Sequence, residues 1–378
     1  MAGLKTPRVA VVGGGPAGAI LAITLARRGL KTLVLEALAG PESKVGECLP
    51  PGANALLERL GLRDRLREEG HLPSHGNRSV WGSPIPLERD FLFGTSGHGW
   101  HLDRRRFEDA LAGRARDEGV DWRYGCRLVG CRGRDGGWVL SVKTPLGDDG
   151  FEADFVVDAT GRPARVARQF GARQVRYDRL VGAAVLMKSE SDERIKGTFT
   201  LVEAVANGWW YSAQLPDGAL MVIYMSDSDL MDRAVIRRES VWAALLEETI
   251  HTRQRVHDGS YLPQADPHIL AANSSRLDLI TGERWLAVGD AAVCYDPLSS
   301  YGISSAMGGG LHAADAVVGY FEGEPNALLT YRAIMDRAYA RYLSMHREHY
   351  ALERRWASEP FWERRHSPTF AQQPIRSE

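Results

Sequence analysis

Apolar residues in this chain fall into two rhythms: short runs of strand length that end in glycine turns, and longer stretches with apolar positions at helical spacing. Val9-Ala10-Val11-Val12 runs into Gly13-Gly14-Gly15-Pro16-Ala17-Gly18. Ala19 to Arg28 then suits a helix that Gly29 would end, and Lys31 to Glu36 suits a second strand. Phe155-Val156-Val157 closes on Asp158-Ala159-Thr160-Gly161, and Trp285-Leu286-Ala287-Val288 closes on Gly289-Asp290. The latter leads into Pro297-Leu298-Ser299-Ser300-Tyr301-Gly302-Ile303.

A different texture fills the intervals. Leu180 to Met187, Thr198 to Ala206, Trp209 to Leu215 and Ala219 to Met225 read as strands. Asn-Gly and Asp-Gly pairs separate them, which predicts a mostly antiparallel sheet. One helical stretch, Glu239 to Arg253, follows. Residues 76–99 are rich in Gly, Pro and aromatics with weak periodicity. After Pro325 the spacing of Ala327, Leu328, Tyr331, Ile334, Met335, Ala338 and Tyr342 predicts a helix over 327–356, with a loose end beyond it. The expected organisation is a discontinuous α/β domain (1–75, 100–170 and 276–325). A substrate-binding domain is expected from 76–99 and 171–275, and a helical segment and tail from 326–378.

The first glycine turn carries chemistry. Gly13 permits the tight turn, Gly15 lets the backbone approach a pyrophosphate, and Gly18 lets the helix pack on its strand beside Ala17. The helix start offers unpaired N–H groups and a positive dipole end to phosphate. Glu36 stands near the ~20-residue offset expected of an acid that accepts hydrogen bonds from a ribose.

The later turns distinguish FAD from NAD. Asp158 to Gly161 and Gly289-Asp290 resemble the second and third FAD signatures of the glutathione-reductase-like flavoproteins. The resemblance implies a Rossmann-like FAD-binding domain of that type, with a mainly antiparallel substrate sheet inserted. It implies that Asp290 binds the ribityl chain and that the helix after Pro297, Ser300, Gly302 and Ile303 points its N-terminus at the flavin. Reduced flavin is negative near N1 and O2, so a positive helix end there is favourable.

Composition removes other classes. The 378 residues carry a net charge of −1, with neither the basic excess of a nucleic-acid binder nor an acidic tail. No apolar run approaches the ~20 residues of a membrane span, and Met1 to Arg8 lacks the apolar region of a signal peptide. Cys48, Cys126, Cys131 and Cys294 form no CxxC, which points to a reducing cytoplasm and removes the dithiol-reductase reading. Scattered histidines suggest no metal.

More specific resemblances narrow the branch. Val45-Gly46-Glu47-Cys48-Leu49-Pro50 and Asp296 to Gly302 are similar to segments of flavin-dependent tryptophan halogenases. Gly208-Trp209-Trp210-Tyr211-Ser212-Ala213-Gln214-Leu215-Pro216 resembles their Gly-Trp-x-Trp-x-Ile-Pro signature, departing at Tyr211 and by one inserted residue. Their halogenating lysine falls on Ser74 in Ser74-His75-Gly76-Asn77-Arg78-Ser79-Val80-Trp81. Serine has no amine to capture hypohalous acid, so halogenation is not expected. Within this group, Gly97-His98-Gly99-Trp100-His101-Leu102-Asp103-Arg104 with Arg106-Phe107-Glu108 is similar to LodB-like flavoproteins. Those accompany quinone-bearing amino-acid oxidases and help mature their cysteine tryptophylquinone.

This implies an FAD-dependent monooxygenase of an indole or related aromatic, with a tryptophan in a peptide or protein as the expected target. Ser74, His75, His98 and His101 are candidates for the cavity wall and for proton transfer. Arg104 or Arg105 is a candidate flavin contact. Trp209, Trp210 and Tyr211 are candidates for an aromatic wall, one tryptophan facing the core and the other outward. Cys294 is expected to pack. No second glycine fingerprint follows a strand, so a separate flavin reductase or other electron donor is expected as partner, together with a precursor chain carrying the tryptophan. Two alternatives stay open: a dehydrogenase or double-bond reductase of the geranylgeranyl-reductase kind, and an FAD-loaded maturation partner that does not turn over.

Overall fold

A computed structural model describes residues 8–189, 198–370 and 372. Its first sheet holds five parallel strands in the order Trp285–Ala287, Phe155–Asp158, Arg8–Val12, Lys31–Leu35 and Asp121–Arg123, with Thr281–Gly282 antiparallel at one edge. Both faces are covered, so the strands are apolar without alternation. Val9, Val11, Val34, Phe155 and Val157 pack with residues of the helices Pro16–Arg27 and Gly302–Glu322. Ala10, Val12, Leu33, Leu35 and Val156 face a three-stranded meander, Arg127–Arg134, Gly137–Thr144 and Gly147–Ala153. That meander was not apparent from the apolar pattern, because its strands are short of buried residues on the outer face.

The second sheet orders its strands Tyr261–Pro263, Leu180–Ser189, Leu220–Asp227, Gly208–Gln214, Thr200–Val205, Gly76–Val80 and Leu87–Asp90, and His268–Ala271 also pairs with Leu180–Ser189. Pairing is antiparallel except between Gly76–Val80 and Thr200–Val205, which run parallel. Two short strands from the weakly periodic insert therefore complete a sheet built mainly by residues 180–271.

The expected single helix from Glu239 is two, Glu239–Glu247 and His251–Asp258. Glu203, buried on a neighbouring strand, explains the break. Its carboxylate accepts from the backbone N–H groups of Ile250, His251 and Thr252 and from the Thr252 hydroxyl, at 2.7 to 3.2 Å. A negative charge at a helix start fixes where the second helix begins.

Two C-terminal helices, Ala327–Ala351 and Pro360–His366, cover the opposite face of this sheet. Trp209 is wholly buried there and donates to the Tyr350 hydroxyl at 3.0 Å. Trp210, on the other face, packs against Tyr224 and Trp242. With both faces covered, neither indole lines an opening, contrary to the expectation that one would. No helix among the described residues is long and apolar enough to cross a membrane.

Candidate active site

The glycine turn shows which of its positions serve the fold and which serve a ligand. Gly13 has φ +108, and a Cβ there would lie 2.2 Å from the Ala159 carbonyl oxygen. One on Gly18 would lie 2.1 Å from the Gly13 carbonyl oxygen. Gly15 has nothing within 4 Å, although it opens the helix Pro16–Arg27 with no side-chain cap. A vacant approach to uncapped helix amides is what a pyrophosphate needs.

The other signatures close on the same place. Gly289, at φ +61, sits against Ala17, where a Cβ would come 2.7 Å from the alanine methyl. Gly310 of the helix Gly302–Glu322 packs on the Ala17 carbonyl oxygen at a would-be 2.7 Å. That helix begins at Tyr301 without a side-chain cap, and Gly302 has no neighbour within 4 Å of a built Cβ. Pro297 is exposed, Ser300 is half-buried with φ +53, and Ile303 is buried.

Asp290 lies in a recess. Its side chain keeps 41% of its accessible surface, yet surrounding protein pushes its carboxyl pKa up, against the pull of Arg162 and Arg104. Arg162 is 3.8 Å away. The carboxylate is thus ringed by protein while one side of it stays accessible. Cys294 packs beneath, its thiol donating to the Asp290 carbonyl oxygen at 3.1 Å, and burial pushes its pKa up to about 12.

Three expected cofactor residues are engaged locally. Glu36 accepts from the Gly14 and Leu38 N–H groups at 2.7 and 2.9 Å, so it also holds the glycine turn. Asp158 is fully buried and accepts from the Thr160 N–H and hydroxyl and from the Ala167 N–H. It shapes the turn that ends at Gly161 and does not face the opening, a correction to its expected role. Arg104 donates to the Val45 and Gly46 carbonyl oxygens and to Glu108, which also binds Lys44. Its first effect is to hold the segment 44–47, while Arg105 is exposed.

From Asp290 toward the second sheet stands a series of side chains that feel one another's charge: Arg104, Glu47, Cys48, Tyr211 and Arg255. Glu47 is buried with both carboxylate oxygens unpartnered, and burial raises its pKa. Tyr211 is half-buried, hydrogen-bonds Cys48 and is pushed well above the usual tyrosine pKa by burial. Of the three expected aromatic residues, it alone keeps accessible surface.

The insert residues separate into two groups. Ser74 is fully buried and donates to the Thr198 carbonyl oxygen at 3.3 Å. His75 is exposed, with Nδ1 2.8 Å from the Thr198 hydroxyl, and its ring is 6.2 Å from that of His98. His98 is half-buried and stacks edge-on against Trp100. His101 differs from them: it is fully buried, and burial with the nearby Arg255 charge lowers its pKa to about 4 against the opposing backbone contact at Gln214.

A His with a depressed folded pKa binds its proton more weakly than in the unfolded chain, whose pKa is about 6.5. Stability should therefore be complete above about pH 6.5 and fall as pH drops toward 4, by roughly 2–3 kcal/mol from this group. Urea titrations of the wild type and a His101→Phe variant at pH 7.5 and 4.5 test this. The pH-dependent loss should shrink in the variant, and equal losses would show that His101 titrates normally.

The Pro297 turn is anchored by a buried network. Asp296 accepts from His346, Tyr350 and the Leu298 N–H, each at 2.8 Å, and its own N–H donates to Tyr342 at 2.8 Å. Asp178 lies beside it, accepting from the Leu180 and Ser274 N–H groups. Burial raises the Asp178 pKa and the Asp296 charge adds to that. Arg162, Arg255 and the partners of Asp296 carried no local sequence signal, because each depends on chain segments brought together by the fold; Glu47 and Asp296 lay in recognisable segments that did not disclose their roles.

The tryptophan halogenase family model matches residues 82–375, and a model of NAD(P)-binding Rossmann-like domains matches residues 11–41. The chain belongs to the tryptophan halogenase family. One relative is a putative FAD-dependent oxidoreductase, LodB, of Marinomonas mediterranea; it is 30% identical, over 94% of this chain and 96% of its own. Among solved structures, the myxobacterial chondrochloren halogenase CndH superposes with TM-score 0.86 at 22% identity, over 99% of this chain and 87% of its own. QhpG, described as a peptidyl tryptophan dihydroxylase essential for tryptophylquinone cofactor biogenesis, superposes with TM-score 0.79 at 24% identity, over 96% and 79%. This member of the family is an FAD-dependent oxidoreductase of LodB-like type. The open Gly15 turn, the uncapped helix at Tyr301 and recessed Asp290 fit FAD, through the pyrophosphate, the isoalloxazine edge and the ribityl chain respectively.

Proposed function

We propose that the chain is an FAD-dependent monooxygenase that hydroxylates the indole of a tryptophan carried on a polypeptide, during maturation of a quinone cofactor. The observation that carries this reading is Ser74. By the resemblance of its segment it stands where the halogenating lysine falls, and its hydroxyl is buried against the Thr198 carbonyl oxygen. A buried hydroxyl bound to backbone provides no amine for hypohalous acid. The description of QhpG as a peptidyl tryptophan dihydroxylase supports the choice of substrate class.

When bound, reduced flavin supplies activation of oxygen. Asp290 and the amides at Gly15 and Tyr301 would hold it, and the strand-held Tyr211 would orient the ring of the substrate. Oxygen insertion releases the proton of the attacked carbon. We assign that proton to His75 or His98, which are accessible and whose rings lie 6.2 Å apart. Electrons come from a separate reductase. A precursor encoded beside the gene, incubated with the protein, reduced flavin and oxygen, should gain steps of about 16 or 14 Da on one tryptophan, the chemistry being the flavin's. Free L-tryptophan should turn over weakly, and chloride or bromide should give no halogenated indole. Halogenated product, or efficient hydroxylation of a free aromatic with no mass change on the precursor, would sink the proposal.

A further inference from the structure

Arg255 is a cation without a counter-ion in a desolvated place. It stands on the helix His251–Asp258, whose start is fixed by Glu203. Its Nη1 donates to the Ser212 carbonyl oxygen and hydroxyl at 3.1 and 3.2 Å. Among the described residues no carboxylate pairs with it, and its electrostatic neighbours are Tyr211, Tyr261, His101 and Arg78. Burial is deep enough to lower the guanidinium pKa to about 10, although the residue keeps accessible surface. As at Asp290, the charge is ringed by protein while one side of it stays accessible.

An unpaired buried charge is costly, and proteins keep one where something arrives to meet it. The geometry indicates what arrives. Ser212 occupies Nη1 and leaves the Nε–Nη2 edge, the side of a guanidinium that meets a carboxylate with two parallel N–H bonds. That edge is not among the buried, unpartnered atoms, so it is reachable. Tyr211 and Tyr261 stand beside it, and the neighbouring arginines Arg78 and Arg104 are already paired with Glu88 and Glu108. We propose that Arg255 anchors one carboxylate that the substrate carries into the recess beside Tyr211. This rests on the reading of the recess as the substrate site and adds an acidic group to the substrate's description. For a tryptophan on a polypeptide, the carboxylate is supplied by an Asp or Glu side chain near the target.

The test uses the FAD-loaded protein and two probes of one shape, indole-3-acetate and indole-3-acetamide, titrated against flavin absorbance. The wild type should bind the acid roughly tenfold more tightly than the amide. Arg255→Met should abolish that preference and Arg255→Lys should keep part of it, with flavin content unchanged in both. Equal binding of acid and amide to the wild type, or a preference that survives in Arg255→Met, would overturn the proposal. Running the precursor mass assay in parallel separates the two readings. An acid preference with no oxygen on any chain leaves the anchor standing and removes the hydroxylase, and the reverse pattern does the opposite.

Discussion

A Gly15→Val variant is expected to fold and to purify without flavin, whereas Gly18→Ala is expected to lose the fold's stability as well. The two glycines stand three residues apart in one turn, but they answer to different neighbours. Gly15 has φ −66 and ψ 179, extended backbone that any residue adopts, and nothing lies within 4 Å of a built Cβ. A side chain there should change stability by no more than about 0.5 kcal/mol, as at an ordinary surface site. It would, however, fill the path along which a pyrophosphate reaches the helix amides. A methyl on Gly18 would lie 2.1 Å from the Gly13 carbonyl oxygen, 3.1 Å from the Ala159 methyl and 3.2 Å from Val11. Backbone cannot yield there without moving the central strand, so the cost should be at least about 1–3 kcal/mol. Thermal unfolding of the apoprotein, read beside bound-flavin absorbance, tests both. Wild-type flavin content in Gly15→Val would show that the phosphates sit elsewhere.

The largest loss of stability from a single polar side chain is expected at Asp296. Replacement by Ala leaves the buried His346 Nε2 and Tyr350 hydroxyl, and the partly buried Leu298 N–H, without an acceptor. Removing one partner of such a network should cost about 3–5 kcal/mol. Flavin affinity should fall with it, because the Leu298 bond caps the turn Pro297–Ser299 at the mouth of the site. Burial alone would raise the Asp296 carboxyl, but the His346 hydrogen bond and charge, with Leu298 and Tyr350, hold it below the usual carboxylate range. A depressed folded pKa contributes stability that is complete above the unfolded value of about 4 and fades as pH falls through the folded one. The gap between wild type and Asp296→Ala should accordingly narrow in strong acid. A gap of under about 1 kcal/mol at pH 7 would mean that the network is replaceable by water.

What could be read from the chain was what local rules govern. Gly13, Gly15 and Gly18 announce themselves because backbone conformation and close approach leave no other residue type open to the turn. Gly289-Asp290 and the Pro297 segment follow a strand in the same way. Trp209 and Trp210 were harder to place, since alternation along a strand says that two residues face opposite ways but not what covers each face. Here helices from residues 239–258 cover one and helices from residues 327–366 the other. Asp158 was legible as the end of a strand, but its role was set by the Thr160 and Ala167 donors that the turn folds back onto it. Arg255 was invisible for a related reason. Its helix starts where Glu203, on a strand far earlier in the chain, accepts its first N–H groups.

The C-terminal helices also set a timetable for synthesis. Arg365 closes on Asp227 across 138 residues of sequence, and Trp362 donates to the Val205 carbonyl oxygen across 157. At ~5–20 residues per second, the strand Leu220–Asp227 leaves the ribosome roughly seven to thirty seconds before the residues that roof it. Through that interval the Trp209 face of the sheet is bare and the Asp227 carboxylate lacks its arginine. A nascent chain in this state is a client for chaperones and prone to aggregate, and truncation before Pro360 would make the state permanent. Soluble expression should therefore fall sharply when the helix Pro360–His366 is removed.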